Sequence, residues 1–364
     1  MLPLISVCVP VYDTEPYLER CLRSAAAQDF DNFEIVVVSD ASRGKDGRGR
    51  SARKIVKAVQ KECDKERKQK GRARVPFKFV EHSENRGLIE VRRSLCYEAS
   101  GLYMTQLDSD DELEVGALSA LWAVAQFPAP NGENSENPQT FDIVHGTSAA
   151  GSFDADGNFK PANENRFGAI SYEQIFGRDV FRRWLMDSAF TANTWGKLIK
   201  RSLWLEAYEN IPYTECNMAD DALLFFFLAQ KASSYIGIPD KVYRYRLNVG
   251  MTSARKIDTM RKWRMICSAA SVFTVISQWI EEQGANGANG IANTNGGSAL
   301  LPDEVEKVRA MARGYLVNNL RQYYETVVPQ LREQAYAELC DYWGESFVKK
   351  VDAAIKAQAQ DKRG

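Results

Sequence analysis

Histidine is almost missing from this 364-residue chain, which has only His82 and His145. Two imidazoles cannot build a histidine-rich zinc centre, and they disfavour a triad that runs through one of them, so any metal here is expected to be held by oxygen. No Cys-x-x-Cys pair occurs among the seven cysteines, Cys8, Cys21, Cys63, Cys96, Cys216, Cys267 and Cys340. Their scatter and their apolar neighbours read as reduced, buried filler rather than a zinc ribbon or a dithiol centre. Long apolar runs are also lacking: Ile266 to Ile280 is too short, and too interrupted by Ser, Thr and Gln, to cross a bilayer, and reads as a half-buried helix. Met1 leads into apolar residues without a basic stretch, so no signal peptide is expected; the setting is read as cytoplasmic, with peripheral contact at the inner face of the membrane left open. Lys and Arg total 47 against 48 Asp and Glu, a balance that argues against a dedicated nucleic-acid binder.

What is present is an alternation of strand and helix signals. Leu4 to Val11 is an apolar run suited to a strand covered on both faces. A helix follows, with Asp13 or Thr14 as its cap, Pro16 in its first turn, and Tyr17, Leu18, Cys21, Leu22 and Ala25 at helical spacing. Strands are expected at Phe33 to Val38, Phe77 to Val80 and Tyr103 to Leu107, with a helix from Leu88 to Ala99. That order predicts an α/β fold built on a doubly wound, mostly parallel sheet flanked by helices, whose ligands gather beyond the carboxyl ends of the strands. Asp13, Asp40 and Asp108 to Asp111 all fall at such ends. Further on, a loop at 127–141, a strand at Asp142 to His145, a tight polar hairpin near Asp154 to Asn158, a helix at Asp220 to Lys231 and a strand at Lys241 to Tyr245 are expected. After Ser253 the pattern is helical, with a flexible Gly/Asn-rich loop at 284–298 and a capped helix start at Pro302-Asp303-x-x-Glu306.

Residues 43–74 carry 14 Lys or Arg against 4 Asp or Glu, while Ala52, Ile55, Val56, Val59 and Cys63 repeat on one helical face. The basic side can be simply solvated, or it can meet anionic lipid or a phosphate-bearing acceptor; nucleic acid fits it least.

Asp108-Ser109-Asp110-Asp111 follows a buried strand, so several carboxylates converge and call for a counter-charge. Oxygen ligation suits Mg²⁺ or Mn²⁺, which can bridge a diphosphate and take up the charge of its departure. Helix capping is the alternative reading of the same acids.

Seven segments in order, over residues 4–253, resemble the family-2 glycosyltransferases of the GT-A fold. They are Ser6-Val-Cys-Val-Pro10-Val-Tyr12-Asp13-Thr-Glu15, Glu34-Ile-Val-Val-Val-Ser-Asp40-Ala-Ser42, Asn85-Arg-Gly87 with Arg92, Leu107-Asp108-Ser-Asp110-Asp111, Trp195-Gly-Lys-Leu-Ile-Lys-Arg-Ser-Leu, Ala219-Asp220-Asp221-Ala-Leu-Leu-Phe, and Tyr243-Arg-Tyr-Arg with Thr252-Ser253. The resemblance implies an inverting enzyme that moves a sugar from a nucleoside-diphosphate sugar, a UDP-sugar as the family-level choice, to a glycan, lipid-linked or protein acceptor in glycan or glycoconjugate biosynthesis. It implies a nucleotide-binding set of Pro10, Tyr12, Glu15, Asp40, Arg92, Asp108 and Ser109, with Asp40 accepting from the base and Arg92 supporting base or phosphates. Asp110, helped by Asp108, would bind the divalent cation; Asp221 would be the general base, beside Asp220 where the family usually has Glu. The implied division is a GT-A domain at 1–253, with a nucleotide half to about 126 and an acceptor half from about 140, then a helical region at 254–364.

The departures are Asp13 for the usual Asn, Ser39 for a second acid, Arg93 for Asn and Val115 for Pro, of which Asp13 and Arg93 bear on donor choice. Rival readings are an inactive GT-A-like binding or scaffold subunit and a sugar-nucleotide nucleotidyltransferase. The latter would open on a Gly-rich phosphate loop where this chain has Tyr12-Asp13-Thr14.

Overall fold

The computed structural model describes residues 3–127, 140–154, 158–162, 167, 169–247, 249, 256–288 and 299–361. Its residues group into two compact units, one of Met1–Asn210 with Leu224–Gly250 and one of Ile211–Leu223 with Met251–Gly364.

The first unit opens with strand β1 (Ile5–Val11), helix α1 (Glu15–Ala26), β2 (Phe33–Ser39), α2 (Ala52–Gln69), β3 (Phe77–Glu81), α3 (Leu88–Glu98) and β4 (Tyr103–Gln106). β1 and β2 are buried along their whole length, as their unbroken apolar runs require of a sheet covered on both faces. β1 pairs in parallel with β2 and β4, and β2 with β3, which puts Val11, Ser39 and Gln106 at one edge. The chain continues through β5 (Glu112–Leu113), α4 (Ala117–Ala125), β6 (Ile143–Phe153), β7 (Phe159–Pro161), β8 (Ile175–Phe176), α5 (Asp179–Leu185), β9 (Lys197–Lys200), α6 (Arg201–Glu209), α7 (Asp220–Lys231) and β10 (Ser234–Arg246). Strand order in the sheet is β3-β2-β1-β4-β9-β6-β10-β5. β9 runs antiparallel between β4 and β6, and β10 lies parallel to β6. The result is the expected α/β sheet, parallel in its first half and mixed in its second.

Two strands are longer than their sequence signals. β6 runs on through Gly146-Thr-Ser-Ala-Ala-Gly-Ser, whose small residues carry no apolar alternation. Smallness is what the pairing needs: a Cβ at Gly146 would stand 2.5 Å from Val242 Cγ2. β10 starts at Ser234 and continues past Pro239, with its register shifted beyond Ile238. β6 and β7 pair as the expected hairpin, and Asp154 N–H donates to the Asn158 carbonyl at 3.0 Å; residues 155–157 lie outside the described residues, as does most of the 127–141 connection.

The amino ends of β1 and β2 are tied by a buried polar knot. Glu34 Oε1 accepts from Ser6 Oγ at 2.6 Å, from Ser100 N at 2.6 Å and from Ser100 Oγ at 2.8 Å, while Gly101 N–H donates to Ser6 Oγ at 2.9 Å. A single carboxylate thus fixes the tail of α3 against the first two strands.

In the second unit α8 (Met260–Cys267), α9 (Ala269–Ala288), α10 (Pro302–Thr326), α11 (Arg332–Trp343) and α12 (Glu345–Asp361) surround a core that includes Trp263, Leu316, Leu320, Ala335, Leu339 and Val348. The stretch from Ile266 to Ile280 is split between α8 and α9 at Ser268, and no described helix is long and apolar enough to cross a membrane. α9 continues through Gly284 to Ala288, so the segment expected to be loop from 284 begins as helix; a glycine costs an established helix only about 1 kcal/mol. Residues 289–298 lie outside the described residues. At the start of α10 it is Glu304, not Glu306, that reaches back, accepting from Leu301 N at 2.8 Å. All seven cysteines are free, six of them buried.

Glu34→Ala removes the acceptor of the buried Ser6 hydroxyl and of the Ser100 amide and hydroxyl. It is expected to lower the unfolding free energy by about 1–3 kcal/mol, read by chemical denaturation.

Candidate active site

At the end of β1 the chain turns sharply at Asp13, whose φ of 54° is rare for a residue with a Cβ. The turn is held from the next loop: Asp13 N–H donates to Ser42 Oγ at 2.8 Å, and Arg43 N–H donates to Asp13 Oδ1 at 3.3 Å. Neither expected helix cap forms. Asp13 serves this loop, and Thr14 Oγ1 is instead 2.7 Å from Ser109 Oγ, joining the β1 turn to the acidic turn. Glu15 is 1 % exposed; its Oε1 accepts from Ser42 Oγ at 2.6 Å and its Oε2 has no partner among the described residues. Gly44 lies over it so closely that a Cβ there would be 1.9 Å from Oε2. Pro10 is buried inside β1, and Tyr12 is 37 % exposed beside this turn.

At the end of β2, Asp40 is 1 % exposed and heavily used. Oδ1 lies 2.7 Å from His82 Nδ1 and accepts from Arg86 N at 2.9 Å; Oδ2 accepts from Arg86 N at 3.0 Å and from Gly87 N at 2.9 Å. Gly87 has φ 85°, the left-handed conformation that a glycine adopts without strain. Asp40 therefore orders the Asn85-Arg-Gly87 segment, a task the sequence did not reveal. His82 Nε2 extends the chain to Ser94 Oγ at 2.9 Å.

Arg92, 2 % exposed, donates from Nη1 to Gln106 Oε1 at 3.3 Å and from Nη2 to Asp108 Oδ1 at 3.1 Å. Its neighbour Arg93 turns the other way, donating to both Glu90 oxygens and to the Tyr208 carbonyl at 2.9 Å. Arg93 thus packs α3 against α6.

The acidic turn is bonded on its inner side. Tyr243 Oη, on β10, accepts from Asp108 N–H at 3.1 Å and donates to Asp111 Oδ2 at 2.8 Å. Arg246 N–H donates to Asp111 Oδ1 at 2.7 Å, and its Nε donates to the Asp110 carbonyl at 3.0 Å. Asp111 is consequently a buried anchor, its carboxyl pushed well up by burial and then by Asp110 and Asp108. The Tyr243 ring stacks on Trp195 with centroids 4.8 Å apart, while the Arg246 guanidinium lies 4.2 Å from the Phe153 centroid and 4.9 Å from that of Tyr17. Arg20, paired with Glu112, covers Phe153 at 3.5 Å. Tyr243 and Arg246 have no role in the sequence reading, because bonds to an element 132 to 136 residues earlier leave no local signal.

Asp108 and Asp110 remain partly exposed. Burial, followed by Asp108, pushes the Asp110 carboxyl up to about 6. Among the described residues no three His, Cys, Asp or Glu side chains are grouped to hold a metal ion, because Asp111 turns inward and Asp108 already faces Arg92. The convergence expected from the sequence is therefore partial. The raised Asp110 carboxyl fits a place for added positive charge.

Asp220 and Asp221 form the first turn of α7, after Ala219 at φ 65°, and group with the second unit. Asp220 is buried and Asp221 partly so, and their charges add to the burial that pushes the Tyr315 hydroxyl up to about 12. Thr252 and Ser253 lie outside the described residues.

Two measurements follow from this geometry. Tyr243→Phe removes one donor and one acceptor from a buried turn and is expected to cost about 1–3 kcal/mol of stability in denaturation. Asp110 has a folded pKa of about 6 against 3.8 ordinarily, so its stabilising contribution is complete below about pH 4 and lost as pH rises through about 6. Asp110→Asn is expected to flatten that part of the stability profile of the metal-free protein, and an unchanged profile would contradict the assignment.

Comparison with known proteins finds glycosyltransferases. Residues 6–142 match the sequence model of glycosyl transferase family 2. Glycosyltransferase GlyG of Streptococcus pneumoniae is 27 % identical over 263 residues, covering 71 % of this chain and 75 % of GlyG. Glycosyltransferase GlyA of the same organism is 27 % identical over 265 residues, covering 68 % of this chain but only 31 % of GlyA. A Campylobacter jejuni GalNAc(5)-diNAcBac-PP-undecaprenol beta-1,3-glucosyltransferase is 32 % identical over 120 residues, 33 % of this chain and 34 % of that one. Among solved structures, S. aureus TarS 1-349 in complex with UDP shares the fold at TM-score 0.51 and 17 % identity, covering 98 % of this chain and 92 % of the other. β2–β4 and the acidic turn lie inside the matched region, so residues 6–142 carry a glycosyl transferase family 2 domain.

Proposed function

We propose that this chain transfers a sugar from a nucleoside-diphosphate sugar to an acceptor hydroxyl with inversion, in the making of a glycan or glycoconjugate. The observation that carries this reading is the acidic turn bonded to Tyr243, Arg246 and Arg92 beside the ends of β1 and β2, with Asp108 and Asp110 left partly exposed. Anionic groups so fixed can receive a ribose, a cation or both without reorganising.

In this reading Pro10, Tyr12, Glu15, Asp40, Arg92, Asp108 and Ser109 serve the nucleotide. The unpartnered Glu15 Oε2 and the exposed Tyr12 ring support a role for the β1 turn, and Asp40 acts at least by shaping the 85–87 segment. Asp110 and Asp108 would hold Mn²⁺ or Mg²⁺, which when bound supplies positive charge to the departing diphosphate. Asp221 takes the proton of the acceptor hydroxyl as an ionised carboxylate, with Asp220 beside it; this assignment rests on their sequence pattern. Attack and departure are in line, so no covalent intermediate forms on the protein. Uridine is the first base to test, as TarS has been solved in complex with UDP and with UDP-GlcNAc, and a lipid-linked acceptor the first to try, given the PP-undecaprenol in the Campylobacter enzyme's name.

Thermal stability against UDP, GDP, CDP and dTDP, each with and without Mn²⁺, tests the nucleotide side. One nucleotide is expected to stabilise the protein in a metal-dependent way, and Asp110→Ala to abolish the effect; no response to any nucleotide leaves the inactive-scaffold reading. Asp221→Asn is expected to keep the nucleotide response while turnover of the identified donor falls by about 10²–10⁴-fold.

A further inference from the structure

α2 is the most basic element of the fold, and its charges are sorted by face. Ala52, Ile55, Val56, Val59, Cys63 and Arg67 are buried. On the far side stand Lys54, Lys57, Lys61, Lys65 and Lys68, all exposed. At ~100° per residue these five fall within a strip about 80° wide, centred about half a turn from the buried row, and the strip runs for about 21 Å at ~1.5 Å per residue.

The other charges of the segment are largely accounted for. Arg50 takes Asp46 at 2.6 Å, Arg53 takes Glu81 at 2.9 Å, Glu62 takes Arg23 at 2.5 Å, Asp64 takes Arg74 at 3.0 Å, and Arg67 and Arg72 share Asp31. The five strip lysines have no ion pair or hydrogen-bonded side-chain partner among the described residues. In a chain of net charge −1, five unpaired cations along one line are a local concentration rather than a share of a general excess.

We propose that this lysine strip docks the protein on the surface of an anionic lipid bilayer, with the α2 axis lying along it. A convex helix face meets a plane along its whole length. Lysine ammoniums on flexible stems suit a diffuse layer of headgroups, whereas fixed planar phosphate recognition favours arginine. The strip carries no aromatic for stacking on bases, which disfavours a single-stranded nucleic acid, and no apolar anchor of the kind that gives a protein interface its affinity. For the same reason the contact is electrostatic, without insertion into the acyl region.

The test is co-sedimentation of the full chain with phosphatidylcholine vesicles and with vesicles of phosphatidylcholine and phosphatidylglycerol in equal parts. Binding is expected only to the anionic vesicles and is expected to vanish at high salt. Lys54→Glu/Lys61→Glu/Lys65→Glu is expected to weaken it at least tenfold, while Lys160→Glu/Lys349→Glu/Lys350→Glu, with the same charge change elsewhere, retains most of it. Unchanged melting and circular dichroism confirm that both variants are folded. The proposal is overturned by equal binding to neutral vesicles, by equal loss in the two variants, or by absence of vesicle binding. Retention of a single-stranded oligonucleotide at a salt concentration where anionic vesicles do not bind would assign the strip to nucleic acid instead.

Discussion

The Tyr243 hydroxyl is the point on which the arrangement of the site depends. It stands between the Asp108 amide and the Asp111 carboxylate, so a single side chain on β10 sets both ends of the acidic turn. Without a protein partner at that place, Asp111 would be a carboxylate buried among two other acids, a costly situation in a low-dielectric interior. With Tyr243 and the Arg246 amide there, Asp111 becomes a peg, and Asp108 and Asp110 are left partly exposed. The stack of Tyr243 on Trp195 fixes the hydroxyl in turn, which ties the Trp195-Gly196-Lys197 segment to the same turn.

A similar economy governs the other two strand ends. Asp40 orders the 85–87 segment through hydrogen bonds from the Arg86 and Gly87 amides, and Ser42 ties the β1 turn to Glu15. The Thr14–Ser109 hydroxyl contact then joins the β1 turn to the acidic one. Three loops that are far apart in the chain are thus cross-braced by short polar side chains, on a sheet edge whose position is set by the parallel register of β1, β2 and β4. Rigidity of this kind is what a site needs if it is to stabilise a departing diphosphate without first rearranging.

The strands of the first half could be read from the sequence because burial on both faces leaves unbroken apolar runs, as in Ile5–Val11 and Phe33–Ser39. The same reading stopped short at β6, where close passage to Val242 selects small residues and erases the apolar alternation. The acids at the strand ends were legible because Asp40 and Asp108 to Asp111 closely follow β2 and β4. Their separate tasks were not: the inward turn of Asp111, the service of Asp40 to the next loop and the packing of Arg93 on Tyr208 are decided by partners 46 to 135 residues away. Thr14 shows the limit at short range, since a residue type suited to capping took a partner on another turn.

The central claim is that the acidic turn and the neighbouring strand ends form one nucleotide site. Hydrogen–deuterium exchange of the protein with and without UDP and Mn²⁺ tests it most directly. The account predicts slowed exchange in the segments around Tyr12–Glu15, Asp40–Ser42 and Asp108–Glu112, with the core of the second unit around Trp263 and Leu320 unchanged. Saturating nucleotide that leaves those three segments unprotected, or that protects a different surface, would contradict it.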